Sequence, residues 1–283
     1  MSFLVGIDGS ERGERALEWA SRQVDRESGS LTLISVIDPL FIQAAGGDGD
    51  GLLASVDAKL HEFEAAILER YPDMDTSTVV AVGKTVDCLV DEADKHDVIV
   101  MGSHHGMHVG RTVAGAKGLR VSVSAAVPTV LVPVDWDAQA EASGIVVGVG
   151  PDDSSDAAVA FGVRRALVSG CRLKLVSAWG LPALLSHSAE AMGGGLAPVG
   201  EQFQAALDAR VRVLREQYPQ LEVTGEAIEG SSPTRVLEAE SRGCALLVLG
   251  THSRAMLGRT LFGSVSHSVL QNLQVPTVVV PQL

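Results

Sequence analysis

The stretch "MGSHHGMHVGRTVAGAKG", Met101 to Gly118, carries three histidines in five residues: His104, His105 and His108. On a helix His104 and His108 would share a face, which is the spacing of a zinc-ligand pair. The same stretch holds Gly102, Gly110 and Gly115. These would supply backbone N–H groups at a strand tip and a helix start, a cradle for phosphate. Two chemistries compete here, and a second copy of the stretch separates them.

Sliding the chain by 148 residues lays "GTHSRAMLGRTLFGSVSHSVLQNLQVPTVVVP" from Gly250 onto "GSHHGMHVGRTVAGAKGLRVSVSAAVPTVLVP" from Gly102, with thirteen identities in 32 gapless positions. Against His104, His105 and His108 stand His252, Ser253 and Met256, whereas Gly102/Gly250, Gly110/Gly258 and Gly115/Gly263 stay in register. A zinc site needs three or four ligands, and no other histidine lies in a partner motif. Solvated loop histidines are therefore the reading, with no metal. The glycines carry the chemistry, or else simply make a strand-to-helix connection, the plainer alternative on spacing alone.

Further segments repeat: "FLVGIDGS" (3–10) with "IVVGVGPD" (145–152), "LTLISVID" (31–38) with "LKLVSAWG" (173–180), and "HDVIVMG" (96–102) with "CALLVLG" (244–250). The chain is thus a duplication. Its seam is the polar "VDWDAQAEASG", 134–144, which sets expected domains at 1–137 and 145–283 with 138–144 as linker. Each half alternates strands and helices. The first predicts strands at 3–7, 31–37, 78–82, 97–101 and 129–132, and helices near 10–25, 52–70, 86–95 and 115–125. Because the strands are continuous β-branched runs, both sheet faces are expected to be covered. The fold class is α/β: two tandem Rossmann-like domains, each a five-stranded parallel, right-handed sheet with helices on both faces. Ligands bind such sheets outside the strand carboxyl ends where strand order reverses, and Asp8 and Gly102 fall at two such ends.

Composition narrows the function classes. At 283 residues with 46% hydrophobic and 20% charged side chains, the expectation is a soluble protein of about two domains. The net charge of −13 and the lack of a Lys/Arg cluster argue against nucleic acid. Any anion site must be local, built from backbone amides or helix ends. Three widely spaced cysteines, Cys88, Cys171 and Cys244, point to a reducing cytosol. Asp8 comes too early for a secretory signal, and no apolar run approaches a membrane span. "VGKT" at 82–85 is not a P-loop, since Thr78 stands where that motif needs glycine. The Gly/Ala-rich segments 43–51 and 181–200 read as lids or as disordered connections.

The whole chain resembles a tandem universal stress protein, whose nucleotide loop reads G-x2-G-x9-G-[ST] between a first strand ending in Asp and a last strand like "VPVLVV". The second copy reads Gly250-x2-Ser253-x9-Gly263-Ser264 and the first Gly102-x2-His105-x9-Gly115-Ala116. The resemblance implies binding of ATP or a related adenine nucleotide, with Mg2+ as an optional companion. In the first half it implies contacts from Ile7, Asp8, Gly9, Ser10, Val36, Met101, Gly102, Ser103, His105, Gly115 and Ala116. In the second half it implies Val149, Gly150, Ala178, Leu249, Gly250, Thr251, Ser253, Gly263, Ser264, Val265 and Ser266. Asp8 takes the adenosine-contacting place, and Val36 and Ala178 the adenine-packing place.

Each half departs from that pattern. The first has Ala116 and His105 where the family has a hydroxyl and a glycine. The second has Gly150 in the Asp place, with Asp152 and Asp153 repulsive to phosphate. The apolar "VPTVLVP" and "VPTVVVP" would be aggregation hazards if left unpaired. The family pairs units through these strands, so an intramolecular pseudo-twofold is expected, with a homodimer through last strands or helices as the further option. The functional expectation is a cytoplasmic, nucleotide-binding stress regulator that is not an enzyme. The alternative is a degenerate scaffold for protein partners; a nucleotide hydrolase is weakest, since no nucleophile–base pair or paired carboxylates stand in the loops.

Overall fold

The computed structural model describes residues 1–44, 49–105, 112–140, 142–150, 153–180, 197–230, 232–251 and 263–282. The chain divides into two compact units, Met1–Gln139 with Leu270–Pro276, and Ala140–Val269 with Thr277–Leu283. The main division falls inside the polar stretch 134–144.

The first unit runs β1 (Ser2–Gly6), α1 (Glu11–Glu27), β2 (Ser30–Ile37), α2 (Pro39–Ala44), α3 (Gly49–Arg70), β3 (Asp75–Val82), α4 (Thr85–Ala93) and β4 (Val98–Gly102). It continues through β5 (His104–His105), β6 (Thr112–Val113), α5 (Ala116–Ser124) and β7 (Thr129–Val132). Its parallel sheet has the order β3-β2-β1-β4-β7. The order reverses between β1 and β4, so the carboxyl ends of those two strands diverge and leave a crevice.

Phe3, Leu4, Val5, Val98, Ile99 and Val100 are all fully or almost fully buried, which only a sheet covered on both faces allows. Leu4, Ile34 and Ile99 pack with Val86, Leu89 and Ala93 of α4, Val121 of α5 and Ala125 just after it. Helix α1 packs along β1 and β4, and α3 along β2 and β3.

The second unit runs β8 (Ile145–Gly148), α6 (Asp156–Ser169), β9 (Leu173–Trp179), α7 (Ala197–Gln217), β10 (Val223–Glu229), α8 (Pro233–Glu240), β11 (Leu246–Gly250), α9 (Ser264–Leu270) and β12 (Thr277–Val280). Its parallel order is β10-β9-β8-β11-β12, the same winding. Corresponding backbone bonds fix the equivalence of the halves. The Ile7 amide donates to the Ile34 carbonyl at 2.8 Å, as Val149 does to Val176 at 2.9 Å. Gly83 donates to Ile37 at 3.0 Å, as Gly230 does to Trp179 at 2.8 Å. Ser103 donates to Val132 at 2.8 Å, as Thr251 does to Val280 at 3.0 Å.

Two elements differ from expectation. Part of the presumed loop 43–51 is helical, since α2 ends at Ala44 and α3 begins at Gly49. Residues 197–200 open α7 rather than continuing a loop. The antiparallel ribbon β5–β6, with His104 opposite Val113, is also new.

Helix α1 ends at Ser28 with φ 50°, and α6 at the equivalent Gly170 with φ 62°. A left-handed C-cap suits glycine and strains serine. Ser28→Gly is therefore expected to stabilise the protein by about 0.5–1 kcal/mol, and Gly170→Ala to destabilise it by about 1 kcal/mol, read from urea midpoints at constant slope.

Candidate functional site

The crevice between β1 and β4 opens into a cleft of about 510 Å³, within the usual size range for a small-molecule site. Its two ends differ chemically. One is apolar: Ile34, Val36 and Ile37 from the tip of β2, Phe41 from α2, and Leu52 and Val56 from α3. The other is polar: Asp8 after β1, Arg12 in the first turn of α1, and Gly115 to Gly118 opening α5.

Gly102 ends β4 hard against α1. A Cβ at that position would lie 2.1 Å from the Arg12 carbonyl oxygen. The cleft floor thus depends on a strand tip without a side chain, packed on backbone. Gly115 is the N-cap of α5 and offers no side-chain cap, so the first amides of α5 have no protein group supplied to them by the cap. Lys117 follows within that first turn and is exposed. A cation there opposes the helix dipole, at a cost of about 0.3–1 kcal/mol.

Asp8 is held by its neighbours. Its carboxylate accepts from the Ser10 amide at 3.2 Å, from the Ser10 hydroxyl, and from Arg12 Nε at 3.1 Å and Nη2 at 2.5 Å. Partial burial pushes this carboxyl up, but the Ser10 and Arg12 hydrogen bonds and the Arg12 charge together hold it below the ordinary carboxylate value. Asp8 is an ionised anchor at neutral pH.

Of the first-half residues expected at a ligand, Ile7, Asp8, Val36, Met101, Gly102, Gly115 and Ala116 come together in the cleft wall. Gly9 and Ser10 stand outside it: Gly9 makes the turn at φ 74°, and the Ser10 hydroxyl is engaged by Asp8. Ser103, expected at the ligand, is instead fully buried and its hydroxyl donates to the Val132 carbonyl at 3.0 Å, tying β4 to β7. The side chain of His105 and all of His108 lie outside the described residues. No His/Cys/Asp/Glu group able to hold a metal occurs among the described residues. Cys244 is buried, and burial pushes its thiol up to about 12, so it stays protonated.

The second half uses its polar groups internally. The Gly150 amide donates to Ser155 Oγ at 2.8 Å. Ser266, expected as a phosphate donor, instead donates its hydroxyl to the Gly250 carbonyl at 3.0 Å. Thr251, likewise expected at the ligand, is buried and directs its amide and hydroxyl to Val280. Val149 and Leu249 are buried core, Ala178 is half-buried on β9, and Gly263, Ser264 and Val265 stand at the start of α9. Ser253 and Asp152 lie outside the described residues.

Arg12, Phe41, Leu52, Val56, Thr85 and Lys117 were not anticipated at the cleft. Arg12 had a signal in its spacing, four residues after Asp8 on a helix. Lys117 had one in "GAKG", where a cation follows the helix-opening glycine.

The model of the universal stress protein family matches residues 1–133 and again 143–281. The chain belongs to the universal stress protein family. A universal stress protein of Mycolicibacterium smegmatis is 26% identical over 98% of this chain and 96% of its own length. One of Mycobacterium tuberculosis, Rv2005c, is 24% identical over 99% and 96%. The crystal structure of a universal stress protein from Archaeoglobus fulgidus shares the fold, with a TM-score of 0.72 and 16% identity over 99% of this chain and 98% of that one. No helix among the described residues of this universal stress protein is long and apolar enough to cross a membrane.

Two outcomes check the site's construction. Gly102→Ala forces β4 away from α1 and is expected to destabilise by about 1–3 kcal/mol in thermal or urea unfolding. Because Asp8 titrates lower folded than unfolded, its pairing contributes above its unfolded value near 3.8 and is lost as pH falls through the folded value. Asp8→Asn should therefore flatten the acid limb of a stability–pH profile below about pH 4.

Proposed function

We propose that this universal stress protein binds ATP or a related adenine nucleotide in the cleft of its first half and acts as a regulator without strong turnover. The observation that carries the reading is the polarity of that cleft: an apolar slot at one end, and at the other an uncapped helix start beside Lys117. A flat base with an anionic tail matches both ends at once. The base would pack on Val36 and Ile37, Asp8 would accept from a donor on the nucleoside, and the phosphates would meet the α5 amides and Lys117. A bound Mg2+ would supply further charge neutralisation at the phosphates.

Asp8 supports binding over hydrolysis. A carboxylate already paired with Arg12 and stabilised as the anion is a poor proton acceptor. The cytoplasmic setting and the domain limits 1–137 and 145–283 belong to the same proposal; they rest on the unpaired cysteines and the polar seam. The pairing of the two last strands is proposed on their apolar runs and closing prolines.

Calorimetric titration of ATP into the full chain should give saturable heat, with and without Mg2+, and no phosphate release. Lys117→Glu should weaken binding by about tenfold or more, since it replaces a charge-assisted contact with repulsion. Absence of heat together with absence of co-purified nucleotide would leave the scaffold reading.

A further inference from the structure

The second half carries a feature with no counterpart in the first. The bonds Gly83–Ile37 and Gly230–Trp179 place Trp179 at the position of Ile37. The turns after the long helices fix a second equivalence. Tyr71 N donates to Ile67 O at 2.8 Å and Tyr218 N to Leu214 O at 2.8 Å, an offset of 147, in register with the buried pair Leu60 and Leu207. That offset places Phe203 at the position of Val56 and Gly200 at that of Leu53.

Ile37 and Val56 both line the first-half cleft, one from β2 and one from α3. In the second half their replacements touch: Trp179 and Phe203 stack with centroids 5.8 Å apart and planes 11° from parallel. The indole is 7% exposed. A Cβ on Gly200 would stand 2.5 Å from indole Cζ2, so the third exchange, to glycine, is what admits the ring. Three substitutions on two elements thus fit one another. The indole is a fused five- and six-membered bicycle, the same shape class as a purine. It lies at the tip of β9, where the first half keeps its apolar slot open.

The polar end has changed in step. Val265 stands where the first half has Lys117, and Ser155 caps the amide of Gly150. We infer that the second half fills its own base slot with the stacked Trp179–Phe203 pair, leaving a single nucleotide site per chain, in the first half. The count of sites rests on the nucleotide reading above; the filled slot does not.

Two measurements on the full chain separate these. Without nucleotide, Gly200→Leu should drive the indole from its slot, giving red-shifted tryptophan emission that acrylamide quenches more readily. Phe203→Ala, which keeps helix α7 and removes one face of the stack, should do the same. Emission unmoved in both variants overturns the filled slot. Native mass spectrometry of the wild-type chain with ATP should show one nucleotide per chain, with the ATP needed for half occupancy raised about tenfold or more in Lys117→Glu. Two per chain, or one bound with unchanged affinity in Lys117→Glu, overturns the single-site assignment. No ATP bound to the wild type would sink the nucleotide reading and with it the count, while the emission experiment still decides the slot.

Discussion

The close approach of β4 to the first turn of α1 is the constraint on which the first-half site depends. With only hydrogen at Gly102, the strand tip sits against the Arg12 carbonyl, and any larger residue must separate them. That contact fixes where Arg12 emerges, and Arg12 in turn holds Asp8 through two hydrogen bonds. Gly13, one residue on, lets the Asp8 carboxylate lie close: a Cβ there would be 3.2 Å from Asp8 Oδ1. A missing side chain on one strand therefore sets the position of the charged residues on the next element. The second half repeats the approach more loosely, its Gly250 Cβ position lying 3.1 Å from the Ser154 carbonyl oxygen.

The fold was legible because it rests on patterns that sequence displays directly. Runs such as Leu4–Val5 and Val98–Val100 are apolar at every position since helices cover both faces, and duplication doubles the signal. Side-chain direction was not legible. Ser103 and Ser266 sit beside glycines expected at a phosphate, yet both hydroxyls turn toward carbonyls of their own sheet. A buried hydroxyl takes the nearest acceptor, and that acceptor is decided by strand pairing. Helix α2 was hidden because Pro39, suited to a helix start, opens a helix of only six residues.

The polar end of the cleft carries Arg12, Lys117 and one carboxylate, Asp8, although the chain as a whole is acidic. A net charge of −13 opposes any phosphate at long range, but screening confines that field to about 8–10 Å at ordinary ionic strength. Within that distance of the polar end lie the first-turn amides of α5 and Lys117. Arg12 contributes less than its charge suggests, because Asp8 already neutralises it. Lys117 is thus the second cation lining that end of the cleft, beside Arg12.

Duplication explains why the two halves can differ so much at equivalent positions. Two copies of a ligand-binding sheet relieve each copy of the need to keep every contact, and a vacated apolar slot exposes surface to water. Filling it with the chain's own aromatic pair converts a hydration cost into packing, since rings of this size each bury on the order of 150–250 Å². The half that retains an open cleft lacks this filling: Ile37 and Val56 line it in place of the two rings.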